Sequence, residues 1–330
     1  MTQKRRPLIV IPCLNEAAHI EALLAQLRPA ALRLDALIVV AEGGSTDGTR
    51  PILEHLASQD ERIRIVHNRH RIQAAGINLA VRIHGHGFDD LIRIDAHGRY
   101  PDDYCDRLVE EAVAMGADAV VVSMETVGLD LVQAATAAAQ TSRLGTGGSR
   151  HRHRSDGEWI DHGHHALISI AAFEAVGGYD ESFSHNEDAE LDHRLQQAGY
   201  RIWLTGRTRM TYFPRSSLVR LYQQYVGYGR GRARNLVKHR IAPKIRQTIP
   251  LLVLPAAALA LFSFIHWIAA LPFAIWLAVC IGFGIWTAFE KRSLRLLLAG
   301  LSVMIIHFGW SLGFWAQVLA GLLPRREAAP

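Results

Sequence analysis

The chain has few cysteines, and it lacks the sequence signatures of nucleic-acid-binding modules. Its three cysteines, Cys13, Cys105 and Cys280, are far apart and form no Cys-x-x-Cys pair, so no disulfide framework is expected and a reducing compartment fits. Residues 1–7 are polar and basic and lead into a strand-like run rather than the apolar core of a signal peptide, so none is expected. Nucleic acid is not expected as a partner, because no zinc, helix-turn-helix or RNA-binding signature accompanies the basic residues.

Acidic residues are missing from one long segment. Residues 201–247 hold 12 of the 36 Lys and Arg residues and no Asp or Glu, so the rest of the chain carries 24 basic residues against 31 acidic ones. The net charge of +5 therefore describes this segment and not the whole protein. A basic segment that precedes an apolar tail is typical of contact with anionic lipid headgroups or phosphates.

Charged residues are almost absent from the C-terminal part. From Ile249 to Phe289 the only Asp, Glu, Lys, Arg or His residue is His266, and about 40 residues suffice for two membrane crossings of ~20 residues each. Leu296 to Leu323 supplies a third apolar span after a short basic loop. The positive-inside rule places that loop and the basic segment in the cytoplasm. Three crossings would put the C-terminus outside, but Arg325 and Arg326 argue against this, so the side of the membrane on which the C-terminus lies stays open.

Strands and helices alternate five times in the first part of the chain. The first helix is expected to be capped by Asn15 and to end before Pro29. Short connections between alternating elements predict an α/β fold with a largely parallel sheet and helices on both faces. The apolar runs predicted as strands are Leu8–Ile11, Leu37–Ala41, Ile63–Val66, Leu91–Ile94 and Ala119–Ser123.

We predict three parts of the chain. Residues 1–215 form the α/β domain, residues 216–247 a basic amphipathic segment at the membrane interface, and residues 248–330 a membrane region of about three helices. In the middle segment, leucines and tyrosines recur among arginines and lysines, which is typical of a helix lying on a membrane surface. The alternative is a basic helix packed on the domain.

Polar side chains follow the predicted strands, and the carboxyl ends of parallel strands meet at one edge, where ligands bind. The fourth strand stops at a carboxylate and an imidazole, Asp95 and His97, which are metal-type ligands. Each polar residue could instead be a turn or cap residue, but their joint placement favours a binding site. The residues are Asn15, Glu42, Asp47, Asn68, Asp95 and His97.

Two stretches between residues 144 and 165 offer alternatives. The loop from Leu144 to Gly157 is either a solvated surface loop or a flap whose Arg150, Arg152 and Arg154 close over phosphates. The segment Trp159-Ile-Asp-His-Gly-His-His165 contains three histidines that could bind a metal, but its glycine interrupts a helical ligand spacing. We favour a substrate-contact loop with Trp159, His162 and His164 on the acceptor side.

The segment from His185 to Arg194 begins a helix with acidic residues. Asn186 is expected to cap it, and Glu187 and Asp188 then lie in the first turn, where the helix dipole favours carboxylates. The functional interpretation is a carboxylate held at a cleft as a general base.

Six motifs occur in the order found in a known family. The chain resembles the family 2 glycosyltransferases of the GT-A fold over about residues 7–240, and it is most similar to the succinoglycan-type bacterial exopolysaccharide glucosyltransferases. The motifs are Ile11-Pro-Cys-Leu-Asn-Glu16, Glu42-Gly-Gly-Ser-Thr-Asp-Gly-Thr49, Ile72-Gln-Ala-Ala-Gly-Ile-Asn-Leu-Ala80, Asp95-Ala-His97, Gly177-Gly-Tyr-Asp180 and Asn186-Glu-Asp188.

The resemblance implies roles for individual residues. Asp188 matches the catalytic base and Glu187 its partner. Asp95 and His97 match the metal motif, with a histidine in place of the second carboxylate, so the expected divalent cation is Mn²⁺ or Mg²⁺, with Mn²⁺ favoured because imidazole is a poor ligand for Mg²⁺. Glu42 stands where the family has an aspartate. The residues expected to bind the nucleotide-sugar are Pro12, Asn15, Glu16, Glu42, Asp47, Arg71 and Asp95.

The resemblance also implies a reaction. The Gln-x-x-Arg-Trp motif of processive relatives is absent, since the corresponding region reads Gln224-Tyr-Val-Gly-Tyr228. We therefore expect an inverting, non-processive transfer of one hexose from a UDP-sugar, such as UDP-glucose, to a polyprenyl-diphosphate-linked saccharide. The enzyme would be multi-pass in a bacterial inner membrane, with a cytoplasmic catalytic domain and contacts to anionic lipid. The alternatives are transfer to polyprenyl phosphate itself, or a non-catalytic module that binds sugar nucleotide or lipid.

Overall fold

The apolar runs near the N-terminus form strands because their side chains are buried on both faces of a sheet. A computed structural model describes residues 5–148 and 156–322. The strands are β1 (Pro7–Cys13), β2 (Leu37–Glu42), β3 (Ile63–His67), β4 (Asp90–Arg93), β5 (Ala119–Thr126), β6 (Glu158–Ile160), β7 (His164–Ser169) and β8 (Ile202–Tyr212).

Twelve α-helices connect and follow these strands in the described residues. They are α1 (Ile20–Leu34), α2 (Thr49–Gln59), α3 (Gln73–His84), α4 (Tyr104–Met115), α5 (Leu131–Gln140), α6 (Arg143–Thr146), α7 (Ile170–Ala175), α8 (Glu187–Gln197), α9 (Leu218–His239), α10 (Thr248–Ala260), α11 (Leu271–Glu290) and α12 (Leu298–Leu322).

The described chain forms two compact units. The first consists of residues 5–125 and 156–212, and the second of residues 126–148 and 213–322. Helix α5, from the middle of the chain, packs against α12 and so belongs with the C-terminal helices.

The first unit contains one mixed sheet with the strand order β3-β2-β1-β4-β7-β5-β8-β6. The strands β3, β2, β1 and β4 are parallel, as predicted, whereas β7 runs antiparallel to both β4 and β5. Apolar clusters cover both faces of the sheet, with α1 and α4 on one face and α3 and α8 on the other. The predicted α/β fold is confirmed, but only half of the sheet is parallel.

The start of the first helix differs from the prediction. Asn15 does not cap α1, because its Oδ1 accepts a hydrogen bond from the Thr46 amide at 2.8 Å, and the helix begins at Ile20. Pro29 lies inside α1 and does not end it. The residues after it, Ala30 and Ala31, are buried in the core, and this packing offsets the hydrogen bond that proline removes.

The second unit is built around a close contact between α9 and α12. The buried side chains of α9 include Leu221 and Tyr225, which pack with Val303 and Ile306 of α12. The apolar face of α9 is therefore covered by another helix of the second unit.

Two helical segments of the described chain are long and apolar enough to cross a membrane. They are Trp267–Glu290 and Leu294–Gly321. The apolar segment Ile245–Ala260 is shorter than a typical span of ~20 residues. By this criterion two of the three expected spans reach crossing length.

Replacing Gly229 by alanine should destabilise the second unit by about 2 kcal/mol, because a Cβ at this position would lie 2.0 Å from the Trp310 carbonyl oxygen and would force α9 and α12 apart. Gly282→Ala on α11 is the matched control, since no atom lies within 4 Å of the added methyl group. That variant should be as stable as the parent or slightly more, because alanine favours helix. Thermal unfolding in detergent measures both, and equal melting temperatures would contradict the close packing.

Candidate active site

A buried arginine connects two carboxylates at the carboxyl end of β4. The Arg93 Nη1 atom lies 2.6 Å from Asp188 Oδ1, and its Nε atom lies 3.2 Å from Asp95 Oδ1. Asp188 comes from the first turn of α8, and Asp95 from the loop after β4. Two residues 93 positions apart in the sequence thus meet through one guanidinium group.

The charges around these carboxylates keep them ionised. Burial by itself raises the pKa of Asp188, but Arg93 and His165 outweigh it and hold the pKa well below its usual range. The pKa of Asp95 is also lowered, since Arg93 and His164 outweigh the effect of burial. Both carboxylates are therefore ionised at neutral pH.

Glu187, next to Asp188, has the opposite electrostatic behaviour. Burial and the negative charge of Asp188 raise its pKa to about 7. Two adjacent carboxyl groups whose pKa values are pushed apart are a common feature of acid–base sites.

The turns after β1 and β2 hold each other through hydrogen bonds. The Asn15 amide donates to Ser45 Oγ at 2.9 Å, and the Glu16 amide donates to Thr49 Oγ1 at 2.8 Å. Asp47 Oδ2 accepts from the Ala17 amide at 3.1 Å. These contacts bring together three of the residues that were predicted to bind a nucleotide-sugar, Asn15, Glu16 and Asp47.

Glu42 lies buried at the end of β2, where its carboxylate accepts a hydrogen bond from the Ser45 amide. Burial opposes ionisation, but hydrogen bonds from Ser45 and Gly44 outweigh it and lower the pKa of Glu42. Pro12 pairs with Ala41 in the neighbouring strand, one residue before Glu42.

Three non-glycine residues in the loops around the site have left-handed backbone conformations. Asn15 and Arg71 both have φ of 57°, and Asn186, before α8, has φ of 67°. Asparagine tolerates this conformation, whereas for arginine it costs free energy. The Arg71 guanidinium lies over Gly44, in the turn after β2.

His97 pairs with a carboxylate. Its Nδ1 atom lies 2.9 Å from Glu16 Oε1. In metal sites such a carboxylate partner fixes the tautomer that leaves the Nε2 lone pair to bind the ion. Among the described residues no group of three or more His, Cys, Asp or Glu side chains is arranged to hold a metal. The carboxylate of Asp95 and the imidazole of His97 are donor types that Mn²⁺ accepts, and protein sites for such ions often rely on substrate phosphates for further ligands.

The histidine segment after β6 divides between two environments. His164 Nε2 lies 3.6 Å from Asp95 Oδ2, and burial lowers the pKa of His164 to about 4. His162 instead contacts Asp192 on α8, with Nδ1 2.7 Å from Oδ2. Trp159 lies on the edge strand β6, where its ring contacts Arg201 and Trp203. The structure thus places His164 beside Asp95 and His162 beside Asp192. Trp159 lies on the edge strand, three strands away from β7.

Four residues in the cluster around Asp95 and Asp188 were not among the predicted site residues, namely Arg93, His165, Tyr179 and Asp192. One signal was available, because Asp188 and Asp192 are four residues apart and so share a face of a helix. The proposed flap arginines, Arg150, Arg152 and Arg154, lie outside the described residues.

Comparison with known proteins decides the family. The model of the family "Glycosyl transferase family 2" matches residues 8–177. The chain belongs to this glycosyltransferase family. It is 58% identical over 312 residues to the succinoglycan biosynthesis protein ExoA of Rhizobium meliloti (strain 1021), with 94% of each chain covered. Both the predicted family and the similarity to succinoglycan-type relatives are confirmed, and the chain is an enzyme rather than a non-catalytic module.

Solved structures of glycosyltransferases share the fold. The mannosyltransferase PcManGT from Pyrobaculum calidifontis, solved with GDP-Man and Mn²⁺, has a TM-score of 0.62 and 18% identity, over 93% of this chain and 88% of that one. GalNAc-T7, solved with UDP, GalNAc and Mn²⁺, has a TM-score of 0.55 and 12% identity, over 78% of this chain and 51% of its own. The predicted GT-A fold is confirmed.

Proposed function

We propose that the chain is an inverting, non-processive hexosyltransferase of exopolysaccharide biosynthesis. It transfers one sugar from a UDP-sugar, such as UDP-glucose, to a polyprenyl-diphosphate-linked saccharide. The observation that carries the proposal is the ionised Asp188 carboxylate, held by Arg93 2.6 Å away at the same strand edge as Asp95. Support also comes from the relative named for succinoglycan biosynthesis, which the chain matches over 94% of its length.

In the proposed reaction the acceptor hydroxyl attacks the anomeric carbon opposite the nucleoside diphosphate. Asp188 takes the hydroxyl proton as the new glycosidic bond forms. The transition state resembles an oxocarbenium ion, as in glycoside hydrolysis. Single displacement needs no covalent nucleophile, so one ionised carboxylate on the acceptor side is sufficient.

The donor binds in this proposal at the paired turns after β1 and β2. Asn15, Glu16 and Asp47 hold these turns together, and Glu42 at their base faces the nucleoside. Arg71 lies over the same turn at Gly44 and supplies a cation for the base or the phosphates. The proposal assigns His162 and His164 to the acceptor side.

Asp95 and His97 would hold a divalent cation together with the diphosphate of the donor. When bound, the ion would offset the negative charge that the leaving diphosphate gains. Two fold neighbours solved with Mn²⁺ support this part of the proposal.

The enzyme works, in this proposal, at a bacterial inner membrane with its catalytic domain in the cytoplasm. The basic segment 216–247 meets anionic lipid, and the apolar helices α11 and α12 cross the bilayer. Both would keep the site close to the headgroup of a lipid-linked acceptor. Residues 1–215 would be the catalytic domain and residues 248–330 the membrane region.

A donor screen tests the function. Purified protein is mixed with bacterial membrane lipid extract and each of several UDP-hexoses, and the lipid products are identified by mass spectrometry. Addition of one hexose to a sugar-primed lipid is expected. A product on bare polyprenyl phosphate would replace the proposed acceptor, and a ladder of products would overturn the non-processive assignment.

Mn²⁺ should raise the affinity for UDP by about tenfold or more, and His97→Gln should reduce this gain, because the substitution removes a ligand. Calorimetric titration of UDP with Mn²⁺, with Mg²⁺ and without metal measures the effect. His55→Gln, at an exposed site on α2, is the matched control and should keep the full gain. An affinity that no metal changes would contradict the metal assignment.

A further inference from the structure

A buried side-chain network lies behind the proposed catalytic base. It consists of Asp192 from α8, His165 from β7 and Tyr179 from the turn after α7. His165 Nε2 donates to Asp192 Oδ1 at 2.6 Å, and His165 Nδ1 lies 2.8 Å from the Tyr179 hydroxyl. The Tyr179 hydroxyl in turn donates to Asp188 Oδ1 at 3.3 Å. A continuous series of hydrogen bonds thus links Asp192 to Asp188, and His165 Nδ1 also lies 3.4 Å from Asp188 Oδ1 directly.

Local backbone features place the imidazole between the two carboxylates. Asp188 and Asp192 are one helical turn apart, so both face the same strand. The pairing of β5 with β7 shifts by one residue at this point, because Val120 pairs with Leu167 while Val121 pairs with His165. Such a bulge re-aims the side chains next to it. It directs His165 toward α8, while His164 contacts Asp95.

Both carboxylate oxygens of Asp192 accept hydrogen bonds within this network. Its Oδ2 accepts from His162 Nδ1 at 2.7 Å and from the Gly163 amide at 3.3 Å, in addition to the bond from His165 to Oδ1. A Cβ at Gly163 would lie 2.5 Å from a Val121 methyl group, so only glycine allows this approach. Side chains of Asp192 and His165 are 1% and 0% exposed, which shields their interaction from water.

Tyr179 is held from several sides. Its backbone amide donates to Asn78 Oδ1 at 2.9 Å, and its carbonyl oxygen accepts from Asn78 Nδ2 at 2.8 Å. Its ring packs edge-on against Phe173 at 5.5 Å between centroids. The hydroxyl group therefore has one defined position between His165 and Asp188.

We propose that Asp192 is a positioning residue for the transfer reaction, and that it acts through His165 and Tyr179 to hold the Asp188 carboxylate where the acceptor hydroxyl is deprotonated. The inference rests on the proposed function, because it takes Asp188 as the base. The buried carboxylate of Asp192 holds the His165 imidazole, and the imidazole in turn orients the Asp188 carboxylate. Asp188 therefore has less freedom to move away from the geometry that suits proton transfer.

The protonation of His165 fits this role. Burial alone lowers the pKa of His165, but Asp192, Tyr179 and Asp188 outweigh it and raise the pKa well above its usual range. As an imidazolium, His165 donates from both nitrogens, so the Tyr179 oxygen accepts and its hydroxyl proton points to Asp188. A neutral His165 with Nδ1 as acceptor would draw that proton away from Asp188.

The test compares Asp192→Asn with Tyr179→Phe, which loses only one oxygen atom and keeps the ring packing. We expect kcat to fall about 10- to 100-fold in Asp192→Asn and about tenfold in Tyr179→Phe, with the KM for the donor unchanged, because only the transition state loses an interaction. The double variant should be no slower than the slower single variant, since both changes interrupt the same series of hydrogen bonds.

Glu111→Gln is the matched control. Glu111 is a buried carboxylate on α4, on the other face of the sheet, where it accepts a hydrogen bond from Trp203 Nε1 at 2.7 Å. This variant should lose thermal stability and keep its kcat. A kcat as low as that of Asp192→Asn would mean that the loss follows from general destabilisation, and it would overturn the proposal.

The remaining outcomes separate this inference from the proposed function. Full kcat in Asp192→Asn, with a parent enzyme that transfers sugar, overturns the positioning role alone. No consumption of any UDP-sugar by the parent overturns both. If Asp192→Asn does not fold, full kcat in both Tyr179→Phe and His165→Gln overturns the positioning role, because together these variants interrupt both paths to Asp188.

Discussion

Replacing Asp188 by asparagine should reduce sugar transfer by about 1,000-fold while UDP binding persists. Asparagine has nearly the same shape but cannot accept the hydroxyl proton, and removal of a general base costs ~10²–10⁴ in rate. UDP binding should remain because the paired turns after β1 and β2 do not include α8. Release of UDP in the presence of lipid acceptor measures the rate, and calorimetry measures the affinity.

Asp89→Asn is the matched control for this substitution. Asp89 lies at the opposite end of β4, is exposed, and accepts a hydrogen bond from the Arg6 amide at 2.7 Å. Its variant should transfer sugar at the parental rate. Retained transfer in Asp188→Asn together with an inactive Glu187→Gln would move the role of base to Glu187, whose raised pKa also suits proton transfer near neutral pH.

Replacing Arg93 by methionine should lower the free energy of unfolding by about 3–5 kcal/mol. The substitution leaves two largely buried carboxylates without their shared cation, and breaking a buried pair from one side has a cost of this size. Arg93→Lys should give a smaller loss, because it keeps the charge but cannot reach both Asp95 and Asp188 with the same planar group. Urea unfolding followed by tryptophan fluorescence measures the difference.

The loss of unfolding free energy in Arg93→Met should depend on pH. In the parent the folded-state pKa values of Asp95 and Asp188 are lowered, so the stability they supply is present above the ordinary Asp pKa of about 3.9 and is lost as the pH falls through the folded values. The variant lacks Arg93, so its carboxylates take up protons at higher pH. The deficit should therefore be largest at neutral pH and shrink in acid.

A surface arginine is the control for Arg93. Arg107 forms exposed pairs with Asp103 and Glu110 on α4, and such pairs add little to stability. Arg107→Met should unfold at the same urea concentration as the parent. An equal effect of the two substitutions would show that Arg93 does not hold buried charges together.

The motifs singled out residues that meet in the structure, whereas the hydrophobic pattern missed one of the central strands. Asp95 and Asp188 were predicted from their motifs, and the structure brings them to one guanidinium group. β7 was missed because it begins with two histidines, and a polar start conceals a strand whose remaining residues are buried. Its antiparallel direction then breaks the parallel order that the first four strands follow.

The residues missed in the site share a physical reason. Arg93 occupies a strand position where an apolar residue is usual, and only the approach of α8 supplies its second carboxylate. His165 and Asp192 are 27 residues apart, so no local spacing relates them. Similarly, Pro29 was expected to end α1, but the tertiary packing of Ala30 and Ala31 keeps the helix continuous.

The paired turns after β1 and β2 have a consequence for the speed and cost of donor binding. Hydrogen bonds within the protein join Asn15 to Ser45 and Thr46, and Asp47 to Ala17. The loops that would cover the nucleotide thus lose most of their conformational entropy during folding and not during binding. Under the proposed function, preorganised turns of this kind keep more of their contact energy as affinity for the donor, and donor binding needs no slow loop-ordering step.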